Sequence, residues 1–510
     1  MGLEMFGIGF AYVVNPATLF IILIDVVVGI VFGAIPGLTG TMAIALCLPL
    51  TFEMTPVNSF ALLMGLYVGS CSGGLISAIL LKIPGTPSSI ATTFDGIPMA
   101  DRGEAGKALG AGIVYSFLGG FFSFAVLFLI APPLAAISVR FGPYEYFAIA
   151  LFALTLISSV SGDSALKGMA SGFVGMTLAT AGISPMDGFP RFTFGVIELA
   201  GGFSLLPVMM GLFAVSELLR TVGNRDDDTA GVEVRKIRGF GFTMGEFWEQ
   251  KWNFVRSCLI GTGIGILPGL GGSSANILAY IAAKKCSKHP EKFGTGILDG
   301  IVAPESANNA AVGGALVPLL TLGIPGDTVT AMLIGAFMVH GLNPGPLLFQ
   351  HSGDVVYALF ASLIVANFVM IAVEFWGIRI FVNLLRVPKH VLLPAIIVMC
   401  LVGAFGLNNR VFDIWTVIAF GALGHLMHKY RYPLTPLILG FILGPMAELN
   451  LRRGLQMAEG NFFSFFNSPV AAFFIAVSLL SLLRVLGGWG LRMMRRQYRG
   501  GATGTSKEQP

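Results

Sequence analysis

Long apolar runs alternate with short polar breaks along most of the chain. The apolar segments lie near residues 17–35, 41–50, 57–83, 108–139, 144–160, 168–183, 196–222, 254–283, 297–324, 329–349, 355–385, 391–406, 412–428, 433–447 and 468–485. Because a membrane-spanning helix needs about 20 apolar residues, the pattern predicts on the order of a dozen transmembrane helices. Several segments are short or interrupted by Gly and Pro, and irregular backbone at membrane depth survives only where protein or a cavity surrounds it. We therefore predict an all-α polytopic membrane protein with broken helices and re-entrant segments.

One polar stretch divides the pattern into two parts. It contains ArgAspAspAsp at 225–228 and ValArgLysIleArg at 234–238, and such charged segments are typical of a linker. The predicted organisation is an N-terminal transmembrane half, a polar linker, a C-terminal transmembrane half and a basic tail, at residues 1–222, 223–253, 254–491 and 492–510. The tail carries four arginines between residues 492 and 499 and no acid before Glu508, so we expect a cytoplasmic C-terminus.

Composition excludes several classes of protein. The chain has 510 residues, of which 55% are hydrophobic and 11% charged, and its mean hydropathy is +0.81. The longest polar stretch is shorter than the roughly 50 residues of a small domain, so no nucleotide-hydrolysing domain fits in the chain. Transport against a gradient would then draw on an ion gradient or on another protein. We expect no catalytic site, no cofactor, no structural metal and no nucleic-acid partner.

An internal repeat is the strongest signal in the sequence. Residues 29–40 match residues 261–272 at an offset of 232, and residues 81–86 match residues 322–327 at an offset of 241. Each match contains a Pro-Gly pair that should end one half-helix and let the next begin inside the membrane. The predicted helix-breaking residues are Pro36, Gly37, Pro84, Gly85, Pro268, Gly269, Pro325 and Gly326.

The breaks are followed by small and hydroxyl-bearing residues suited to an anion. A half-helix N-terminus offers free N–H groups and a partial positive charge, so it binds a carboxylate without a buried base. The predicted substrate-binding residues are Thr39, Gly40, Thr41, Thr86, Ser88, Ser89, Gly271, Gly272, Ser273, Ser274, Asn276, Asn308, Asn309 and Thr328. The alternative is that the breaks are only N-caps and kinks in packed helices, with GxxxG pairs serving close helix contact.

Three acidic residues inside apolar segments are candidates for coupling an ion. Asp25 would bind the ion or pair with a base on a neighbouring helix. Glu305 shares a helical face with Asn308 and Asn309. The three side chains would either line a binding site for an ion or substrate, or form a polar seam that holds two helices together. Asp327 follows the fourth break, where it would bind an ion or cap the next half-helix.

Two other clusters favour ordinary structural roles. Glu374 and Trp376 lie near Arg379, which predicts a local salt bridge or anchoring at the membrane interface. His425 and His428 are three residues apart but have no third ligand nearby, so a metal site is not expected.

The motifs resemble those of one transporter family. ThrProSerSer at 86–89, AspGlyIleProMetAla at 95–100 and AlaProGluSerAlaAsnAsnAlaAlaValGlyGly at 303–314, together with two Pro-Gly breaks per half, are similar to the large transmembrane subunit of the bacterial tripartite tricarboxylate transporters, the TctA family. The resemblance covers the chain from about Asp25 to about Glu448. It implies a multi-pass protein of the bacterial inner membrane, with halves of inverted topology. It further implies a small four-helix membrane subunit and a periplasmic solute-binding protein as partners.

The expected function is therefore import of a carboxylate by alternating access, driven by an ion gradient. Sodium is the first choice of coupling ion, because the breaks expose backbone carbonyls, and protons are the second. Citrate, other tricarboxylates and dicarboxylates all fit the predicted hydroxyl-lined site. A self-sufficient carrier without a binding protein is the first alternative. A channel is the second, although its pore would need rings of similar polar groups rather than two unequal copies.

Overall fold

The computed structural model describes residues 2–160, 164–223, 241–384 and 389–484. The centre of the predicted linker, residues 224–240, and the predicted cytoplasmic tail lie outside the described residues. The α-helices, numbered in chain order, are α1 Gly2–Val13, α2 Pro16–Ala34, α3 Gly40–Cys47, α4 Pro56–Leu80, α5 Ile90–Asp101, α6 Ala105–Ser138, α7 Pro143–Val160, α8 Ala165–Ala179, α9 Leu205–Met209, α10 Ser216–Gly223, α11 Met244–Glu249, α12 Lys251–Ile266, α13 Gly271–Cys286, α14 Asp299–Leu322, α15 Thr328–Val339, α16 Leu348–His351, α17 Gly353–Leu384, α18 Lys389–Asn408, α19 Val411–Lys429, α20 Leu434–Met457 and α21 Pro469–Arg484.

Other regular structure is sparse in the described part of the chain. A π-helical turn, Met210–Val215, joins α9 to α10. The strands β1 Gly182–Ile183 and β2 Pro190–Arg191 form one antiparallel ribbon. Short 3-10 turns occur at Leu48–Thr51, Pro87–Ser89, Ile197–Gly201, Pro290–Lys292 and Phe462–Asn467.

The helices confirm the predicted fold class, an all-α polytopic membrane protein. Among the described residues, six helices are long and apolar enough to cross a bilayer: α2, α4, α6, α17, α19 and α20. Six shorter apolar stretches of 10–17 residues accompany them, and they include α3 and α15, which follow predicted breaks.

The chain forms two compact units that differ from the predicted halves. The first unit contains residues 1–140 and 203–430, and the second contains residues 141–202 and 431–510. In the second unit, α7, α20 and α21 pack around an aromatic and aliphatic core that includes Phe147, Phe465 and Ile475, and α8 packs against α7 and α20. The division into halves at the polar linker concerns the repeat and stays a prediction.

Two long helices, α4 and α14, form the centre of the first unit. Every residue of α4 from Ser59 to Leu80 is buried, as is every residue of α14 from Gly300 to Thr321. Both helices are rich in Gly, Ala and Ser, and such small side chains let neighbouring backbones approach closely where lipid offers no hydrophobic driving force.

Glycines bring the broken helices onto these two central helices in the same way. A Cβ atom at Gly33 of α2 would overlap the carbonyl oxygen of Ser70 in α4. A Cβ atom at Gly265 of α12 would lie 2.5 Å from the carbonyl oxygen of Ala311 in α14. Gly33 and Gly265 are equivalent at the offset of 232, and Ser70 and Ala311 at the offset of 241. The sequence repeat is therefore also a repeat of packing.

All four predicted breaks lie between helices, in the broken-helix arrangement that the fold class required. The first break is the segment 35–39 between α2 and α3, and the second is 81–86 after α4. The third is 267–270 between α12 and α13, and the fourth is 323–327 between α14 and α15.

The central helices of the two copies run in opposite directions. The Cys71 Sγ of α4 donates to the Asn308 carbonyl oxygen of α14, with the two atoms 3.5 Å apart. Ile79, eight residues after Cys71 on α4, and Ile301, seven residues before Asn308 on α14, both lie beside Gly96. Residue numbers that increase along α4 therefore pair with residue numbers that decrease along α14, so the two helices are antiparallel. Because α4 and α14 are equivalent in the repeat, the two copies are inverted relative to each other.

The close approach predicts opposite outcomes for two neighbouring glycines of α12. At Gly261 a Cβ atom would overlap the carbonyl oxygen of Ala307, whereas at Gly263 it would meet nothing within 4 Å. We expect Gly261→Ala to lower the free energy of unfolding by about 1–3 kcal/mol through overpacking. Gly263→Ala should leave it unchanged or raise it by up to about 1 kcal/mol, because Ala favours the helix. Thermal unfolding in detergent measures both. Equal melting temperatures for the two variants would contradict the packing described.

Candidate functional site

The first, third and fourth breaks meet in the first unit. The hydroxyl oxygens of Thr41, just after the first break, and Thr328, just after the fourth, lie 3.1 Å apart. The Gly269 N–H of the third break donates to the Gly326 carbonyl oxygen of the fourth at 2.8 Å. Backbone groups released by one interruption are thus paired by another, which satisfies the hydrogen-bonding demand of irregular backbone in a low-dielectric setting.

The second break meets the third on the other side of this cluster. The Ala91 N–H of α5 donates to the Asn276 Oδ1 of α13 at 2.8 Å. A Cβ atom at Gly272, at the start of α13, would lie 3.4 Å from the Ser88 Cβ. The first half-helix therefore contacts the last, and the two middle ones contact each other. This pattern is the one expected when two inverted copies face each other across an approximate twofold axis.

Two side chains at equivalent positions fix the breaks from the central helices. The Tyr67 hydroxyl of α4 donates to the Asp327 Oδ2 at 2.5 Å. The Asn308 Nδ2 of α14 donates to the Ser88 carbonyl oxygen at 3.0 Å. Tyr67 and Asn308 are 241 residues apart, so each central helix holds the break of the other copy.

At three of the four breaks a side chain caps the helical segment that follows, which after the second break is the 3-10 turn Pro87–Ser89 and not α5. The Thr39 Oγ1 accepts a hydrogen bond from the backbone of α3 at 3.2 Å. The second and fourth breaks use equivalent capping boxes, Thr86 with Ser89 and Asp327 with Thr330. At these three breaks the structure shows the capping that the sequence left as an alternative, and it includes the carboxylate of Asp327. A role of Asp327 in ion coupling stays a prediction.

The third break differs, because none of the described side chains caps α13. The position equivalent to Thr39 is Gly271, which has no side chain and a φ of +51°. A Cβ atom there would lie 2.6 Å from the Cβ of Asp327, so the close approach excludes a larger residue. One turn into α13, the Asn276 Nδ2 is buried and has no hydrogen-bond partner among the described residues. The N-terminus of α13 thus combines uncapped N–H groups with an unpaired amide donor.

The predicted substrate-binding residues divide into two groups by exposure. Half-buried residues are Thr39, Ser88, Gly272, Ser273, Ser274 and Thr328, and buried residues are Gly40, Thr41, Thr86, Ser89, Gly271, Asn276, Asn308 and Asn309. The half-buried group contributes one or more residues from each break, so the junction is partly open to solvent. The binding role of both groups stays a prediction.

Glu305 lies in a polar seam that joins α5, α6 and α14. Its carboxylate is completely buried. It accepts hydrogen bonds from the Thr92 hydroxyl, from the Ser116 Oγ at 3.1 Å and from the Asn308 Nδ2 at 3.2 Å. The Asn309 Nδ2 donates to the Asn308 Oδ1 at 2.7 Å. The seam that the sequence offered as an alternative is present, and ion binding at Glu305 stays a prediction.

Asp25 is buried on α2 with 7% of its surface exposed. It packs against Gly65 of α4, where a Cβ atom would lie 3.2 Å from the Cβ of Asp25. Across the described side chains, no base lies within salt-bridge distance of Asp25. The alternative of pairing with a base finds no support there, and ion coupling stays a prediction.

Asp95 is a structural residue that sequence reasoning missed. It is fully buried and accepts hydrogen bonds from the backbone N–H groups of Gly294, Gly296 and Ile297 at 2.7–3.0 Å. The Tyr280 hydroxyl donates to it at 2.8 Å. One carboxylate thereby ties α5 to α13 and to the loop before α14. Its signal in the sequence is a lone acid at the start of the motif 95–100.

The loops at this end of the first unit form a polar surface. The Lys107 ammonium pairs with Glu246, and this hydrogen bond, with one from the Thr243 backbone, lowers the pKa of the Glu246 carboxyl below its usual value. The Arg102 guanidinium donates to the carbonyl oxygen of Gly296 at 2.5 Å. With neighbouring loop residues these groups line an open cavity of about 410 Å³.

The remaining predicted clusters are partly settled. Trp376 is 80% exposed, as expected of an interface anchor. Glu374 is fully buried and accepts a hydrogen bond from the Ser72 hydroxyl at 2.8 Å. The predicted salt-bridge partner, Arg379, has a side chain outside the described residues. The described part of the chain holds no group of three or more His, Cys, Asp or Glu side chains placed to bind a metal.

Comparison with known proteins gives one family and two relatives. The model of the tripartite tricarboxylate transporter TctA family matches residues 19–439. An uncharacterized 52.8 kDa protein in the TAR-I ttuC' 3' region of Agrobacterium vitis is 36% identical over 480 residues, which are 94% of this chain and 95% of that protein. An uncharacterized protein in the TAR-II ttuC' 3' region of Agrobacterium vitis is 35% identical over 226 residues, 44% of this chain and 93% of that protein. No solved structure matches the chain.

The hydrogen bond between Tyr67 and Asp327 predicts a stability effect at the fourth break. Tyr67→Phe leaves an oxygen of the half-buried Asp327 carboxylate without this donor, so we expect a loss of about 1.5–3 kcal/mol in the free energy of unfolding. Tyr12→Phe is the control, because Tyr12 is 52% exposed. Thermal unfolding of both purified variants measures the difference, and a Tyr67→Phe protein as stable as wild type would show that the contact contributes nothing.

Proposed function

The chain belongs to the tripartite tricarboxylate transporter TctA family, and on this basis we propose that it imports carboxylates by ion-driven alternating access. The family is one of membrane transporters, and its members form the large subunit of a tripartite system. The proposal is supported by the junction of four half-helices deep in the first unit, since discontinuous helices of secondary transporters bind substrates and ions at their ends. Transport, rather than catalysis, is the activity we propose.

The observation that carries the substrate class is the N-terminus of α13. Uncapped N–H groups and the positive end of the helix dipole favour an anion, and a carboxylate fits them without a buried base. The unpaired Asn276 Nδ2 supplies a further donor on the same helix. The half-buried hydroxyls of Ser273 and Ser274 add polar groups in the first turn of the same helix. Tricarboxylates such as citrate and smaller dicarboxylates are the substrates proposed.

Charge requires that cations accompany this substrate. Moving one elementary charge across 100 mV is worth about 2.3 kcal/mol, so a di- or trivalent anion enters a negative-inside cell only with compensating cations. We propose sodium, with protons as second choice, because the four breaks concentrate backbone carbonyls near one another. Asp25, Glu305 and Asp327 are the side chains proposed to contribute to coupling.

The proposed partners are a periplasmic solute-binding protein that delivers the carboxylate and a small four-helix membrane subunit. The proposed location is the bacterial inner membrane with the C-terminus in the cytoplasm. The basic residues of the tail support this orientation, since four arginines lie between residues 492 and 499 with no acid before Glu508. Lys and Arg in short loops favour the cytoplasmic side.

Uptake of radiolabelled citrate tests the function. Proteoliposomes would contain the chain with its small subunit, with and without the binding protein and an inward sodium gradient. Accumulation that needs both supports the full proposal. Accumulation without the binding protein supports the self-sufficient carrier instead. Absence of uptake with citrate, dicarboxylates and a proton gradient alike would refute import of carboxylates.

Asn276→Asp tests the anion site with little change of shape. The Asp side chain keeps the acceptor for the Ala91 N–H but replaces the unpaired donor by a second acceptor and adds a negative charge. We expect tenfold or weaker citrate binding, since about 1.4 kcal/mol already corresponds to a factor of ten. Asn58→Asp is the matched control, because its Oδ1 likewise accepts a hydrogen bond, from Thr18 at 2.8 Å. Citrate affinity is measured by calorimetry on the purified complex. Unchanged affinity in Asn276→Asp would remove α13 from the site.

A further inference from the structure

Glu374 is a buried acid for which the proposed transport cycle has so far no use. It lies on α17, faces α4 and has none of its surface exposed. Its Oε2 is within 2.8 Å of the Ser72 hydroxyl. Its Oε1 is buried and has no hydrogen-bond partner among the described residues. An ionised carboxylate has about four lone-pair sites to satisfy, and Ser72 supplies a single donor.

Glu305, the other buried glutamate near Glu374, has very different hydrogen-bond partners. Glu305 accepts hydrogen bonds from three side chains, on α5, α6 and α14. Three donors suit an ionised carboxylate, whereas one hydroxyl and one bare oxygen suit a neutral carboxylic acid. Two buried acids in contrasting surroundings are the pattern in which proteins assign different protonation states to two like groups.

No described base neutralises Glu374. The helices that pack against α17 are α1, α2, α4, α6 and α16. Their titratable residues are Glu4, Tyr12, Asp25, Tyr67, Cys71, Lys107, Tyr115 and His351, and α17 itself adds Asp354 and Tyr357. The side chain of Arg379, also on α17, lies outside the described residues. Lys107 is engaged by Glu246. The Glu305 carboxylate lies near enough to repel a negative charge on Glu374. The Cys71 thiol lies near both glutamates. Burial disfavours a negative charge that has no partner in this position, and a second acid nearby disfavours it further.

We propose that Glu374, with Ser72, is a proton-binding site of the transport cycle, occupied in the conformation described here. The proposal rests on the function proposed above and adds a proton to the cations that offset the substrate's charge. The acid takes its proton from water on one side of the membrane while the site is open to that side. It releases the proton to water on the other side when the transport cycle exposes it there.

The surroundings favour a proton over a metal cation. Sodium in a discontinuous-helix transporter is bound by carbonyl oxygens that unwound backbone sets free. Ser72 and Glu374 both lie inside continuous helices, Pro56–Leu80 and Gly353–Leu384, whose interior carbonyls are engaged in the helix. The described ligands of a cation would be one hydroxyl and one carboxylate, which is too few for sodium and sufficient for a proton.

Glu374→Gln separates coupling from folding and from substrate binding. The amide has the shape of the neutral acid but cannot release a proton. We expect the variant to exchange internal for external citrate as wild type does, and to lose citrate accumulation driven by an inward proton gradient. Citrate-dependent proton entry, followed with a pH-sensitive dye trapped in the vesicles, should be lost as well. Glu217→Gln is the matched control, since Glu217 is also buried but is paired with Arg220 at 2.5 Å.

A measurement on the unmodified protein keeps the proposal testable if the variant fails to insert. Dicyclohexylcarbodiimide reacts with protonated carboxyl groups in apolar surroundings, and the adduct is located by mass spectrometry of the complex. We expect labelling at Glu374 and not at Glu305. The loss of labelling with rising pH gives the protonation curve directly.

Three outcomes would overturn the proposal. They are proton-driven accumulation by Glu374→Gln at the wild-type level, loss of exchange together with accumulation in a folded variant, and absence of carbodiimide labelling at Glu374. Failure of the transport function itself is distinguishable, because wild-type vesicles would then show no carboxylate uptake under any gradient while labelling at Glu374 would still report its protonation.

Discussion

The structure depends on one constraint, that backbone polar groups freed inside a membrane must find partners within the protein. Four interrupted helices release such groups, and the first unit brings the four interruptions close together, where protein partners pair groups at the second, third and fourth breaks. The hydrogen bond from Gly269 to Gly326 pairs two of them directly. Close packing of glycines against α4 and α14 brings the broken helices near enough for this to happen. A cluster that solves a folding problem in this way also creates a polar surface at depth, which is what a charged substrate needs.

Periodicity and repeats in the sequence predicted the fold class, the positions of the breaks and the equivalence of the two copies. They did so because Pro-Gly pairs interrupt a helix locally, whatever the tertiary structure. The relative orientation of the two copies could not be predicted from the sequence, since membrane crossings cannot be counted through broken helices. It follows from contacts between α4 and α14, which are long-range. The same holds for Tyr67 and Asp95, whose polar atoms have partners more than 150 residues away.

The sequence predicted which residues belong to the candidate site but not how they are arranged in space. All four breaks carry hydroxyls or amides, so the sequence treated them alike. The structure separates them, because Thr39 and Asp327 cap the helices that follow them and Thr86 caps a 3-10 turn, whereas Gly271 has no side chain. The distinction arises from a single substitution between equivalent positions, threonine in one copy and glycine in the other. Its meaning depends on which N–H groups remain free, and only the three-dimensional structure shows this.

The inverted pairing of α4 with α14 has an energetic consequence. If the two inverted copies exchange conformations, the structure is turned over relative to the membrane. A passage open to one side of the membrane then opens to the opposite side. Perfectly identical copies would make the two orientations equal in energy. These copies are unequal, with Tyr67 opposite Asp327 in one and Asn308 opposite Ser88 in the other. The chemical differences between the two repeats therefore set the resting bias of the molecule, and substrate and cations act by tilting that balance.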